Sequence, residues 1–109
     1  METIDRAVFS ELQATAGADF VVELLNTFFE EAPRMLAELR AAQAGSAADR
    51  FRRAAHSLKT NAYTFGAAAL GAAARDLEHG GLPADARGID ALQAQYDAAV
   101  SALKALVDG

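Results

Sequence analysis

Cysteine and tryptophan are absent from this chain of 109 residues, and proline occurs only twice. Without cysteine there is neither a disulfide framework nor a thiolate metal site, and nothing points to an oxidising compartment. No apolar run approaches the roughly 20 residues that span a bilayer. The opening Met1-Glu2-Thr3-Ile4-Asp5 lacks the basic and apolar regions of a secretion signal. The expectation is a cytoplasmic protein with no membrane partner. Basic residues are also scarce, ten against fifteen acidic ones, for a net charge of -5. A protein that binds a phosphate backbone needs a concentrated basic surface, so no nucleic-acid partner is expected. Histidine occurs twice, and the nearest approach to a bundle di-iron motif, Asp76-x-x-His79, is single and uses the wrong carboxylate. No metal is expected. His79 reads as structural, at a helix end where a cationic imidazole suits the negative pole of the dipole.

What is present is apolar, rich in alanine and spaced helically. At 52% hydrophobic residues over 109 positions, the chain can build one core and not two. A single domain over residues 1–109 follows, all-α in class. A short helix is predicted from Asp5 to Ala14, with Thr3 or Asp5 as N-cap and Ala7, Val8 and Leu12 on its apolar side, Ile4 packing beside them. After Gly17, the series Val21, Leu24, Leu25, Phe28, Ala32, Met35, Leu36, Leu39 predicts a long amphipathic helix from Asp19 to Ala44. Phe20, Val22 and Phe29 widen its apolar arc enough to receive the short helix or a partner. Pro33 removes one hydrogen bond from it and should bend it.

Gly45 closes that helix, and Ser46 with Asp49 resembles a capping box for the next, which runs to Phe65. Gly66 marks either a break or a tight contact within a longer helix. Leu70, Ala73, Ala74 and Leu77 then form the inward stripe of Ala67 to His79, and Gly80-Gly81-Leu82-Pro83 is a strong turn signal. A last helix from Asp85 to Val107 carries Ile89, Leu92, Tyr96, Ala99 or Val100, Leu103 and Leu106 or Val107, and ends at Asp108-Gly109. Short connections imply antiparallel neighbours: an antiparallel up-down-up-down four-helix bundle, with the short N-terminal helix capping one end.

One helix holds more than its packing requires. At about 100° per residue, Phe51, Ala55, Leu58, Ala62 and Phe65 fall within roughly 40° of one line, the buried face. His56 lies about 140° from that line and is predicted to face water, with Arg52 and Lys59 at the spacings where helical side chains meet. Four of the ten basic residues, Arg50, Arg52, Arg53 and Lys59, crowd this one segment of an acidic chain, which marks a small anion site. Neutral imidazole is a good nitrogen nucleophile, and nearby cations disfavour its charged form. The same cations would attract a phosphoryl group and offset its charge. This combination suits a histidine that is transiently phosphorylated. Arg53 points about 60° beyond the sector His56 and Arg52 share. Tyr63, two turns on from His56, is placed to shield the site, to touch a partner, or simply as a boundary residue between core and solvent, and Asn61 to hydrogen-bond a neighbouring helix.

Ala55-His56-Ser57-Leu58-Lys59, followed by Phe65-Gly66-Ala67, resembles the signature of the histidine phosphotransfer domains of two-component phosphorelays. The likeness extends to length and helical layout over nearly the whole chain. It implies that His56 accepts a phosphoryl group from a receiver-domain phosphoaspartate and passes it to another receiver aspartate. It further implies Lys59 as electrostatic partner and Gly66 as a close-packing position on the same helix. The position after the lysine is often glycine in that family and is Thr60 here, which implies slower or more selective docking. Thr60, Tyr63 and Arg53 are the candidate docking residues. Partners would be response-regulator receivers or a hybrid sensor histidine kinase, met by a monomer. No cofactor is expected on this chain, Mg²⁺ belonging to the receiver, and without a glycine-rich nucleotide loop it should not phosphorylate itself from ATP. Two other readings are a bundle that only holds a receiver or kinase without chemistry, and a domain charged in trans by an ATP-binding kinase core. The opening Met1 and complete helix boundaries favour a free-standing protein over a piece of a hybrid kinase.

Overall fold

Residue spacing alone assigns most of the chain to helix, and the computed structural model, which describes residues 3–108, has five. They are α1 (Arg6–Ala16), α2 (Ala18–Ala44), α3 (Ala48–Thr64), α4 (Ala68–His79) and α5 (Arg87–Asp108), with no strand among the described residues. None is long and apolar enough to cross a membrane. The expected stop at Gly109 lies outside the described residues.

Asp5 caps α1, its carboxylate accepting the amides of Ala7 and Val8. The face α1 buries differs from the expected one. Phe9 is its buried residue, with Leu12 and Ala16 packed behind, whereas Ala7 and Val8 are exposed. The stripe 9, 12, 16 meets the core because Ile4, just before the helix, also turns inward. Helix α2 runs unbroken through Pro33, which sits on its exposed side, and buries Val21, Leu25, Phe28, Ala32, Leu36, Leu39 and Ala42. Phe20 and Val22 stay exposed.

The α2–α3 turn corrects a second expectation. Ser46 does not cap α3, whose N-cap is Ala47 with no side-chain bond. Ser46 has φ 54° and closes α2 instead, with Ala47 N–H donating to Ala42 O and Ser46 N–H to Gln43 O. Gly66 does the same for α3 at φ 77°, Ala67 N–H donating to Ala62 O and Gly66 N–H to Tyr63 O. Gly66 is thus the break between α3 and α4, not a position along one helix. It is a close-packing position all the same, because a Cβ there would stand 2.6 Å from Asp5 O and 3.2 Å from Val8 Cβ. Asp85 precedes α5 and is not its first residue; its carboxylate accepts the amide of Arg87.

Helix α3 packs most extensively on α4 and then α2, and α5 closes against α4 and α2. The stripe read from the sequence is the one buried: Phe51, Ala55, Leu58, Ala62 and Phe65 are each 3% exposed or less. Phe28 ties three elements together, its ring 5.4 Å from that of Phe65 at the end of α3 and 5.9 Å from that of Tyr96 on α5. Each such fully buried aromatic or leucine contributes about 1.5–3 kcal/mol. The outer face of α3 is accordingly presented on a fixed helix.

Candidate functional site

His56 projects from the middle of α3 with 57% of its side chain exposed. Its Nδ1 lies 2.5 Å from Oε2 of Glu78, on α4. The other oxygen of that carboxylate, Oε1, accepts from Lys59 Nζ at 2.6 Å and has His79 Nε2 at 3.3 Å. Glu78 is the hub: its side chain is 9% exposed, and Lys59 beside it 21%. A carboxylate so covered needs cationic or N–H partners, and here it has them. The Lys59 ammonium, helped by the His56 ring, holds the Glu78 carboxyl at about 2 against the burial that pushes it up.

The tautomer follows. A carboxylate that stays ionised can only accept, so Nδ1 carries the proton and donates it to Oε2. In the neutral ring the free electron pair is then on Nε2, on the far side of the imidazole from Glu78. The site is an exposed nitrogen nucleophile of fixed orientation.

Glu78 was not among the residues singled out from the sequence. A signal existed, since Glu78 continues the Gly71, Ala74 stripe at helical spacing and both of those are buried. A charged residue on a buried stripe requires a partner, and Lys59 is it. His79, read as a helix-end residue, is the last residue of α4 and also reaches the cluster. Arg52 is exposed on the same helix, four residues before His56. Arg53 is not brought to the imidazole: it lines a groove on the α2 side with Arg34, Met35, Glu38 and Arg50. Arg50 there makes a two-point ion pair with Glu38. Asn61 bonds within its own helix, to Ser57 O, and not to a neighbour. Thr60 is exposed one turn beyond His56, and Tyr63 two turns beyond at 40% exposure.

The depressed Glu78 carboxyl has a stability consequence. Its folded value, about 2, lies below its ordinary 4.5, so acid protonates the unfolded chain first. The stability Glu78 contributes is whole above about pH 4.5 and is lost as pH falls toward 2. The urea midpoint of the wild type should therefore fall more steeply between pH 5 and 2.5 than that of Glu78→Gln. Parallel curves would remove Glu78 as a source of acid sensitivity.

The described residues thus form a helical fold that presents an imidazole, paired through Nδ1 with a carboxylate, on the outer face of α3. The family model described as Hpt domain matches residues 23–102, most of the chain, and the protein belongs to that family. Hpt domains serve phosphorelays as carriers of a phosphoryl group and interact with receiver domains. The match begins inside α2, so α1 lies outside it. No curated protein and no solved structure matches the chain.

Proposed function

We propose that this protein is a phosphorelay intermediary in which His56 takes a phosphoryl group from the phosphoaspartate of one receiver domain and delivers it to the aspartate of another. The observation that carries the reading is the Glu78 carboxylate on His56 Nδ1, which leaves Nε2 outward. Nε2 attacks phosphorus in line as the bond from phosphorus to the aspartyl oxygen breaks, and the electron pair of that bond returns to the aspartate. The proton stays on Nδ1, and the positive charge the ring acquires is held by Glu78. Lys59 keeps that carboxylate ionised. Arg52, exposed one turn before His56, meets the incoming phosphoryl oxygens. Passage to the second receiver is the same step reversed.

The receiver supplies Mg²⁺ and the acidic pocket, and this chain supplies a positioned nucleophile. The four longer helices run up-down-up-down in this reading, supported by antiparallel pairs such as His56 with Glu78 and Tyr63 with Gly71. The protein acts as a cytoplasmic monomer that docks receivers through the outer face of α3. Incubation with a receiver carrying labelled phosphoaspartate should give one label per chain that is lost in acid, survives alkali and maps to His56. An acid-stable label, or none from any receiver of the source genome, would defeat the proposal.

A further inference from the structure

Helix α4 is nearly all alanine in its first half, Ala68-Ala69-Leu70-Gly71-Ala72-Ala73-Ala74, and the one glycine inside it stands out. A helix-interior glycine costs about 1 kcal/mol relative to alanine. Gly71 is not among the positive-φ residues, so its backbone does not demand glycine. Its neighbour does. A Cβ on Gly71 would stand 2.8 Å from both Cε1 and Cζ of Tyr63 and 3.0 Å from Cδ1. The tyrosine ring therefore lies directly on the α4 backbone, in a seat that only a missing side chain provides, and still leaves 40% of the residue exposed.

Tyr63 follows His56 by seven residues, two helical turns, which sets it about 10 Å along α3 and within roughly 20° of the same face. A stable interface of ordinary size covers about 800 Å² per partner, a disc of about 16 Å radius, and one at the border with transient contacts about 600 Å², a disc of about 14 Å. A receiver patch of either size centred on His56 reaches Tyr63. Aromatic rings held rigid and half-exposed are the residues that dominate such contacts, because little side-chain entropy is lost when they are covered.

Resting on the phosphorelay reading, we propose that Tyr63 is a receiver-docking anchor and that Gly71 is its positioning residue, keeping the ring flat against α4 so that a receiver can settle over His56. Thr60 lies between the two and narrows the approach. The contact acts on encounter with the receiver and not on the nucleophilicity of His56. Two phosphoryl donors separate these roles: a panel of receivers charged with acetyl phosphate, and phosphoramidate, which is too small to touch Tyr63.

With the receiver that transfers best, Tyr63→Ala is expected to lower transfer efficiency about tenfold. The loss should appear as a higher half-saturating concentration, the rate at saturation being kept. Gly71→Ala should cost about three- to tenfold although it raises the helix propensity of α4, and Tyr63→Phe should behave as wild type. All three should take label from phosphoramidate at the wild-type rate. Wild-type transfer by Tyr63→Ala would overturn the proposal, and so would an equal loss with both donors, which would make the ring a structural prop of the site. A wild type labelled by phosphoramidate on His56 but served by no receiver ends this inference and the relay reading together, leaving only the nucleophile.

Discussion

His56→Gln is expected to keep its helical content and thermal midpoint close to wild type, and to take up no phosphoryl group, a loss of more than about a hundredfold. Retention of the fold follows because the side chain is outside the core: the buried face of α3 is Phe51, Ala54, Ala55, Leu58 and Ala62, and Glu78 keeps its Lys59 partner when the imidazole is gone. Substitutions at such exposed sites usually change stability by about 0.5 kcal/mol or less. Loss of uptake follows because an amide nitrogen is no nucleophile. The other histidine is the control. His79 has its Nε2 turned toward Glu78 and stands at the last residue of α4, so His79→Gln should label normally. Glu78→Gln should slow uptake without abolishing it, since an amide can pair with either ring tautomer and no longer offsets the charge on the phosphorylated ring. Label retained by folded His56→Gln would move the acceptor elsewhere and remove the central residue of the relay.

What could be read in advance follows a physical divide. A helix repeats every 3.6 residues, so a single helix reports its own buried face, and the stripe on α3 and the outward His56 were legible from spacing alone. Contacts between helices depend on how far one slides along another, and residue spacing does not encode that. Glu78 belongs to this second kind: its distance from His56 is 22 residues in sequence, and it becomes a partner only when the pairing of α3 with α4 is fixed. The seat of Tyr63 on Gly71 was hidden for the same reason. Helix ends are ambiguous in a sequence where two motifs compete for one residue. Ser46 fits a capping pattern for α3, yet closing α2 takes priority because the turn needs a residue at positive φ there. On α1 the error was of phase, Val8 against Phe9, in a helix with few apolar residues to set the wheel.

Gly66→Ala is expected to be the most damaging small substitution in the chain, destabilising it by about 3 kcal/mol. Two effects act together. The backbone there is left-handed at φ 77°, which costs a residue with a Cβ about 1–2 kcal/mol. The new methyl would also stand 2.6 Å from Asp5 O and 3.2 Å from Val8 Cβ, and overpacking of that sort costs about 1–3 kcal/mol. The relief available is for the segment before α1 to move off, which would break the hydrogen bond from Asp5 N–H to Gly66 O and begin to uncover Ile4 and Phe9, both buried. For a domain whose whole stability is about 5–15 kcal/mol, this is a large fraction, and the thermal midpoint should fall by about 10–20 °C. Loosening should begin at α1, so amide exchange in residues 6–16 is expected to accelerate before that of α3. His56, Lys59 and Glu78 pair across the middle of α3 and the far end of α4, away from the turn at Gly66 and from α1. Phosphoryl uptake per folded molecule, measured well below the new midpoint, should therefore match wild type. A midpoint within about 3 °C of wild type would show that the α3–α4 turn accommodates a side chain and that α1 is not anchored there.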